Sequence, residues 1–263
     1  MNKVLILGTF VYLLFCKSLI ASVDDWQKSI HKNFTLYYKP GDSNNVLTFE
    51  AYLENGIKTV QEYFNKSYEK KFDVYIFPSR KELDAQWEKD WNIPGFKSEC
   101  WMVASGVAHR LDILSTNRWK DEACEHNPDD LEATQKIITH ELVHVFHGQQ
   151  NPVPDFTGLD NLGWFIEGIA VLVSGQLDSK RTKDLIEARE QNKLPDKLTN
   201  FWTGKYRYPV SGSIVQFIEN KYGKDIIRKL LSNTKQEEIL KLLNTNEEKL
   251  IKDWKEYVNR GQD

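Results

Sequence analysis

The chain has 263 residues, 40% of them hydrophobic and 12% aromatic, and carries a formal net charge of −3. That is enough apolar material for one large domain or two small lobes about a cleft, and it excludes a chain disordered throughout. There is no long basic run, so nucleic acid has no electrostatic case as a partner, and a small molecule, peptide or protein is expected instead.

Lys3 precedes an apolar run from Val4 to Phe15, followed by CKSLIAS. A positive start, a short hydrophobic stretch and small residues predict a secretory signal peptide over residues 1–22, cut near Ala21 or Ser22. The run is short for a membrane span, which needs about 20 residues. No stable span is therefore expected once the signal is removed, and the expected destination is the periplasm or the medium. Bulky Phe15 before Cys16 argues against lipid attachment there. Two cysteines then remain, Cys100 and Cys124. In an exported chain this pair predicts a disulfide, and closing the loop between them is worth about 3 kcal/mol.

After the signal, FTLYYKP (Phe34 to Pro40) reads as a strand ended by Pro-Gly. TFEAYLENGIKTVQEYF (Thr48 to Phe64) has helical spacing, with Phe49, Tyr52, Leu53, Val60 and Phe64 on one face. FDVYIFP (Phe72 to Pro78) is a strand rich in β-branched and aromatic residues. SRKELDAQWEKDW opens with a serine cap and continues as a helix. WMVASGVA (Trp101 to Ala108) and RLDILS (Arg110 to Ser115) are strands with a tight joint at His109. From residue 129 the pattern is almost wholly helical, with helices near 130–148, 162–175, 179–191, 209–221, 223–232, 235–243 and 246–259. NPVPDFTGLDN (Asn151 to Asn161) is the clearest loop. The order is α+β: a small mixed sheet with helices in the N-terminal half, then a helical half. One domain is expected over 23–263, with an α+β lobe at 23–150 and a helical lobe at 151–263.

Three of the six histidines fall within ITHELVHVFHGQQ, residues 138–150. On a helix, positions i and i+4 lie one turn apart on one face, so His140 and His144 can point two imidazoles at one metal ion. Glu141 is rotated from the pair by about 100°. It is placed to reach a water held by the metal without being a ligand itself. H-E-x-x-H has this mechanical meaning, two zinc ligands plus a general base. A catalytic zinc needs a third protein ligand. A metzincin extension would need Gly at 147 and His at 150, where this chain has His147 and Gln150. Glu167 meets the need: it is the one charged residue between Asp160 and Asp178, in the apolar segment LGWFIEGIAVLVSG (Leu162 to Gly175). A lone carboxylate in such a helix is costly unless something positive meets it. Small Gly168 and Ala170 allow a second helix to approach. His147 lies two turns from His140, about 10 Å along the helix. It is expected near the helix end, with a partly charged ring that suits the dipole, and not as a ligand.

HELVH followed after 22 residues by the Glu of WFIEGIA resembles the gluzincins, the thermolysin-like zinc metallopeptidases, and most of all the branch called peptidase MA-like with its W-x-x-E-G-x-A helix. YPVSGSIVQFIENKYGKDIIRKLL (Tyr208 to Leu231) is similar to that branch too, and the likeness covers about residues 95–232. The resemblance implies one Zn²⁺ per chain on His140, His144 and Glu167, in a cleft between the lobes. It implies Glu141 as the base and Tyr208 as the oxyanion stabiliser, with Tyr206 the rival two residues earlier. It also implies that WMVASGVAHRLDIL lines the cleft as an edge strand. The G-x-M-E-N segment of the aminopeptidase branch is missing, which favours an endopeptidase acting on a peptide or protein. Thermolysin-like enzymes place Asp four residues after the ligand Glu; here Val171 stands there, and the partner that orients the histidines is left unidentified. Two other readings stay open: a non-catalytic zinc-containing binding module, and a zinc hydrolase of a non-peptide amide or ester. Nothing in the sequence sets an oligomeric state.

Overall fold

A computed structural model describes residues 25–261. The expected signal peptide, residues 1–22, lies outside the described residues.

Five strands form one sheet: β1 (Gln27–Ile30), β2 (Phe34–Tyr38), β3 (Phe72–Phe77), β4 (Ala104–Val107) and β5 (Arg110–Leu114), in the order β1-β2-β3-β5-β4. The central strands β2, β3 and β5 run parallel, while β1 and β4 pair antiparallel at the two edges. No sequence pattern marks β1. QKSI is mostly exposed and has no apolar alternation, so its backbone pairing with β2 is what defines it.

Each sheet face is covered by helix. On one side, Phe34, Leu36, Phe72, Val74, Ile76, Leu111 and Ile113 pack against α1 (Val46–Phe64) and α4 (Leu131–Gln150). On the other, Phe77 and Leu114 meet Leu83 and Trp87 of α2 (Arg80–Asp90) and Trp119 of the short α3 (Trp119–Glu122). Of the apolar stripe predicted for α1, Phe49, Leu53, Val60 and Phe64 are buried and Tyr52 is half-buried, while Ile57 joins the buried face.

The second half is helical: α5 (Gly163–Val173), α6 (Ser179–Glu190), α7 (Arg207–Tyr222), α8 (Lys224–Leu230), α9 (Gln236–Leu242) and α10 (Glu247–Arg260). Its core is continuous with the sheet core through α4 and α5. α5 crosses α7 closely because Gly168 presents no side chain there; a Cβ would lie 2.4 Å from the Ser211 carbonyl oxygen. At the C-terminal end, buried Trp254 of α10 donates its Nε1–H to Ser213 Oγ of α7 at 3.0 Å. Cys100 and Cys124 are joined by a disulfide. Among the described residues no helix is long and apolar enough to cross a membrane.

Candidate metal centre

α4 is capped by Asp130, whose side chain accepts the Ala133 amide, and runs twenty residues between the sheet and α5. Its length puts Ile138, Leu142, Val143, Val145 and Phe146 fully into the core. Those anchors fix the rotation of the helix and leave His140 and His144 directed at α5. From α5, Glu167 points back at them.

His140 Nε2 lies 3.2 Å from Glu167 Oε2, and His144 Nε2 lies 3.5 Å from the same oxygen. The two Nε2 atoms are 3.1 Å apart. One donor atom from each of the three residues falls within 4.8 Å of the others. Among the described residues this is the group of three such side chains that could hold a metal ion. His140 Nδ1 donates to Gln176 Oε1 at 3.0 Å. That bond places the ring proton on Nδ1, so in a neutral imidazole Nε2 is a bare lone pair. Two imidazole nitrogens and a carboxylate therefore converge on one small volume, with His140 Nε2 and the Glu167 carboxylate both acceptors. A shared proton or a cation relieves this, and two nitrogens with one oxygen form a donor set suited to zinc. His140, His144 and Glu167 thus form a candidate metal site whose chemistry fits a divalent ion.

Without a metal, electrostatics in the cluster follow from the same convergence. Burial raises the Glu167 pKa, but the two histidines outweigh it and hold the carboxyl well below its ordinary value. Burial lowers the His144 pKa, and Glu167 and Glu141 reverse this, leaving it raised. Glu141 lies beside the Gly106 amide of β4, and burial raises its pKa above the ordinary carboxylate value. β4 comes this close because Gly106 has no side chain: a Cβ there would lie 2.4 Å from the Glu141 carbonyl oxygen. The edge strand that resemblance places along the cleft is therefore in van der Waals contact with the helix that carries the site.

Tyr208, in the first turn of α7, has its ring centroid 6.4 Å from that of His140. Burial, chiefly, pushes its phenol up to about 12. Tyr206 is turned elsewhere; its hydroxyl donates to Glu187 Oε1 at 2.8 Å. Of the two candidate tyrosines, Tyr208 is the one brought to the cluster.

His147 departs from expectation. It is buried near the end of α4, donates Nε2–H to the Leu231 carbonyl at 3.1 Å, and packs against Phe156 and Phe165. Burial pushes its pKa down to about 3. The ring is neutral and cross-links α4 to the end of α8, where a partly charged ring beside the helix dipole was expected. A burial penalty this large outweighs a dipole effect of about 1 kcal/mol.

Three residues at the site were not singled out in the sequence. Gln176 follows α5 and orients His140; its signal was weak, one amide in VSGQLDS. Arg181 and Arg207 border Tyr208, with Cζ 4.3 Å and 5.3 Å from its ring centroid. In SKRTKD and GKYRYP they read as ordinary solvated charges.

No protein-family model matches the chain, and no curated protein matches it significantly by sequence. Among solved structures it is similar in fold to yeast LTA4 hydrolase in complex with bestatin, with a TM-score of 0.52 and 14% identity over 91% of this chain and 38% of that one. Native yeast LTA4 hydrolase gives a TM-score of 0.50 and 14% identity, over 87% of this chain and 38% of the other. The chain thus corresponds to little more than a third of the length of those proteins, and at this identity the likeness is one of fold.

Proposed function

We propose that this chain is an exported zinc-dependent endopeptidase. The convergence of His140 Nε2, His144 Nε2 and a Glu167 carboxylate oxygen carries the reading, because it is a three-ligand set with a carboxylate base next to it in sequence. The fold shared with a hydrolase supports it. So does the disulfide, which suits an oxidising compartment.

In this reading His140, His144 and Glu167 hold one zinc per chain. Zinc bound there supplies Lewis acidity, polarising a carbonyl and acidifying water. Gln176 keeps His140 in the tautomer whose Nε2 is free to ligate. Glu141, next to His140 in sequence, takes the proton of the attacking water and delivers it to the leaving amine. Tyr208 holds its proton far above neutral pH, so its hydroxyl is available as a hydrogen-bond donor to the oxyanion. β4, paired on one side with β5, offers its other edge to an extended peptide. The endopeptidase assignment rests on the lack of the G-x-M-E-N segment that binds a free amine.

The test is cleavage of a mixed peptide library by zinc-loaded protein spanning residues 23–263, beside its Glu141→Gln form. Cuts are expected from the first. In the variant they fall by at least about a hundredfold, the scale of general-base catalysis, while metal content stays at one per chain. Equal cleavage by both forms would sink the mechanism.

A further inference from the structure

Tyr208 is flanked by two guanidinium groups from different helices. Arg181, in the first turn of α6, lies over its ring, and Arg207, the first residue of α7, lies beside it. Arg207 also stacks on Trp101 at 4.4 Å and reaches Trp202 at 5.5 Å. Trp101 belongs to the segment leading into β4, so this contact joins the sheet half to the helical half at the side of the cluster.

Among the described residues neither guanidinium makes an ion pair. The nearby Asp178 is already engaged, accepting its own helix amides and the Lys136 ammonium at 3.2 Å. The acids that do pair in α6 and after it, such as Glu187 with Lys205, lie elsewhere. Among the described residues, no carboxylate sits within ion-pairing distance of Arg181 or Arg207, and both are half-buried. Burial works against the charge on Arg181; Asp178 and Asp184 support it, and Arg207 adds repulsion. Two like charges kept in a half-buried aromatic setting are costly unless an anion arrives. A guanidinium stacked on a ring face keeps its N–H edge free, and that edge matches a carboxylate bidentately.

We infer that Arg181 and Arg207 form a subsite for a substrate carboxylate beside the hydrolytic centre, framed by Trp101, Trp202 and Tyr208. The inference rests on the peptidase reading for what the substrate is, and deepens it: the preferred peptide carries a negative charge near the scissile bond. A peptide carboxylate has two sources, the C-terminus and an acidic side chain. The two differ in consequence, because a C-terminal carboxylate would limit cleavage to a short distance from the chain end.

The test uses octapeptide pools labelled with an uncharged BODIPY dye, otherwise random among neutral residues. One pool ends in an amide, one in a free carboxylate, and two amidated pools carry a fixed Glu or a fixed Gln. Binding is read by fluorescence anisotropy on the Glu141→Gln protein, and cleavage on the active protein. A carboxylate-bearing pool is expected to bind roughly tenfold or more tightly than its neutral counterpart. Arg181→Gln and Arg207→Gln should each narrow that ratio. Arg→Lys at either position should restore part of it, because a point charge replaces the fork only partly. A response to the free C-terminus alone, or to Glu alone, identifies the source. Equal binding of charged and neutral pools, or none of any pool, overturns the subsite. A carboxylate preference in binding with no pool cut would leave the subsite standing and remove the peptidase reading.

Discussion

At the residue scale the most informative side chain is Gln176, because it decides which nitrogen of His140 is free. Its Oε1 accepts the Nδ1–H at 3.0 Å, both groups being buried. Gln176→Ala should leave the fold intact, free the ring to rotate or change tautomer, and weaken zinc binding about 10- to 100-fold. Competition with a chromophoric chelator measures this, and unchanged affinity would show that packing alone orients the ring. A second residue carries a pH signature remote from the cluster. Asp112 of β5 is buried, bonded to Arg110 Nε at 2.7 Å, and burial pushes its pKa up to about 6 from 3.8. Between those values the folded chain holds a proton that the unfolded chain has released. Its contribution to stability is therefore greatest below about pH 4 and declines as pH rises to 6, by at most about 3 kcal/mol. Asp112→Asn removes this slope. Urea unfolding at pH 4 to 7 should show the variant gaining on the parent as pH rises; parallel profiles would show that Asp112 titrates normally.

At the scale of elements the site is set by how closely helices cross, and Gly168 is the test of that. Ala is favoured over Gly by about 1 kcal/mol inside a helix. Here a Cβ would meet the Ser211 carbonyl oxygen at 2.4 Å and Val215 Cγ2 at 2.7 Å, and the first of these is backbone that cannot swing aside. Gly168→Ala should thus be destabilising by about 1–3 kcal/mol, and should weaken metal binding by shifting neighbouring Glu167. A variant at least as stable as the parent would mean that α5 and α7 separate freely. The same crossing shows what could be read in advance. HELVH on a helical pattern and a lone Glu167 in an apolar segment were legible because ligand spacing and burial cost are local properties. The small residues flanking Glu167 signalled a close helix, but not which one. The exposed strand β1, the Gln176 bond, the buried neutral His147 and the two arginines at Tyr208 were not legible, since each depends on a partner distant in sequence. His147 is the clearest case: its partner is the Leu231 carbonyl, and nothing within α4 announces it.

At the scale of the molecule, Trp101 ties the segment before β4 to Arg207 of α7, and that segment is restrained twice. Arg80, in the first turn of α2, donates to Ser98 Oγ, to the Glu99, Cys100 and Met102 carbonyls, and through Nε to the Glu122 carbonyl at 2.7 Å. The Cys100–Cys124 bridge joins the same two stretches covalently. The restraints act on different states. The bridge chiefly limits the unfolded chain, whereas the Arg80 bonds hold the native loop. Replacing both cysteines by serine should therefore lower stability by about 3 kcal/mol yet keep the loop in place, so zinc affinity and the carboxylate preference persist. Adding Arg80→Ala should then release Trp101 from Arg207 and narrow that preference, while Arg80→Ala in the bridged chain should do so less. Urea unfolding and the anisotropy ratio, measured on the four combinations, separate the two effects. A serine pair that by itself abolished the preference would make the bridge, and not Arg80, the element that shapes this side of the site.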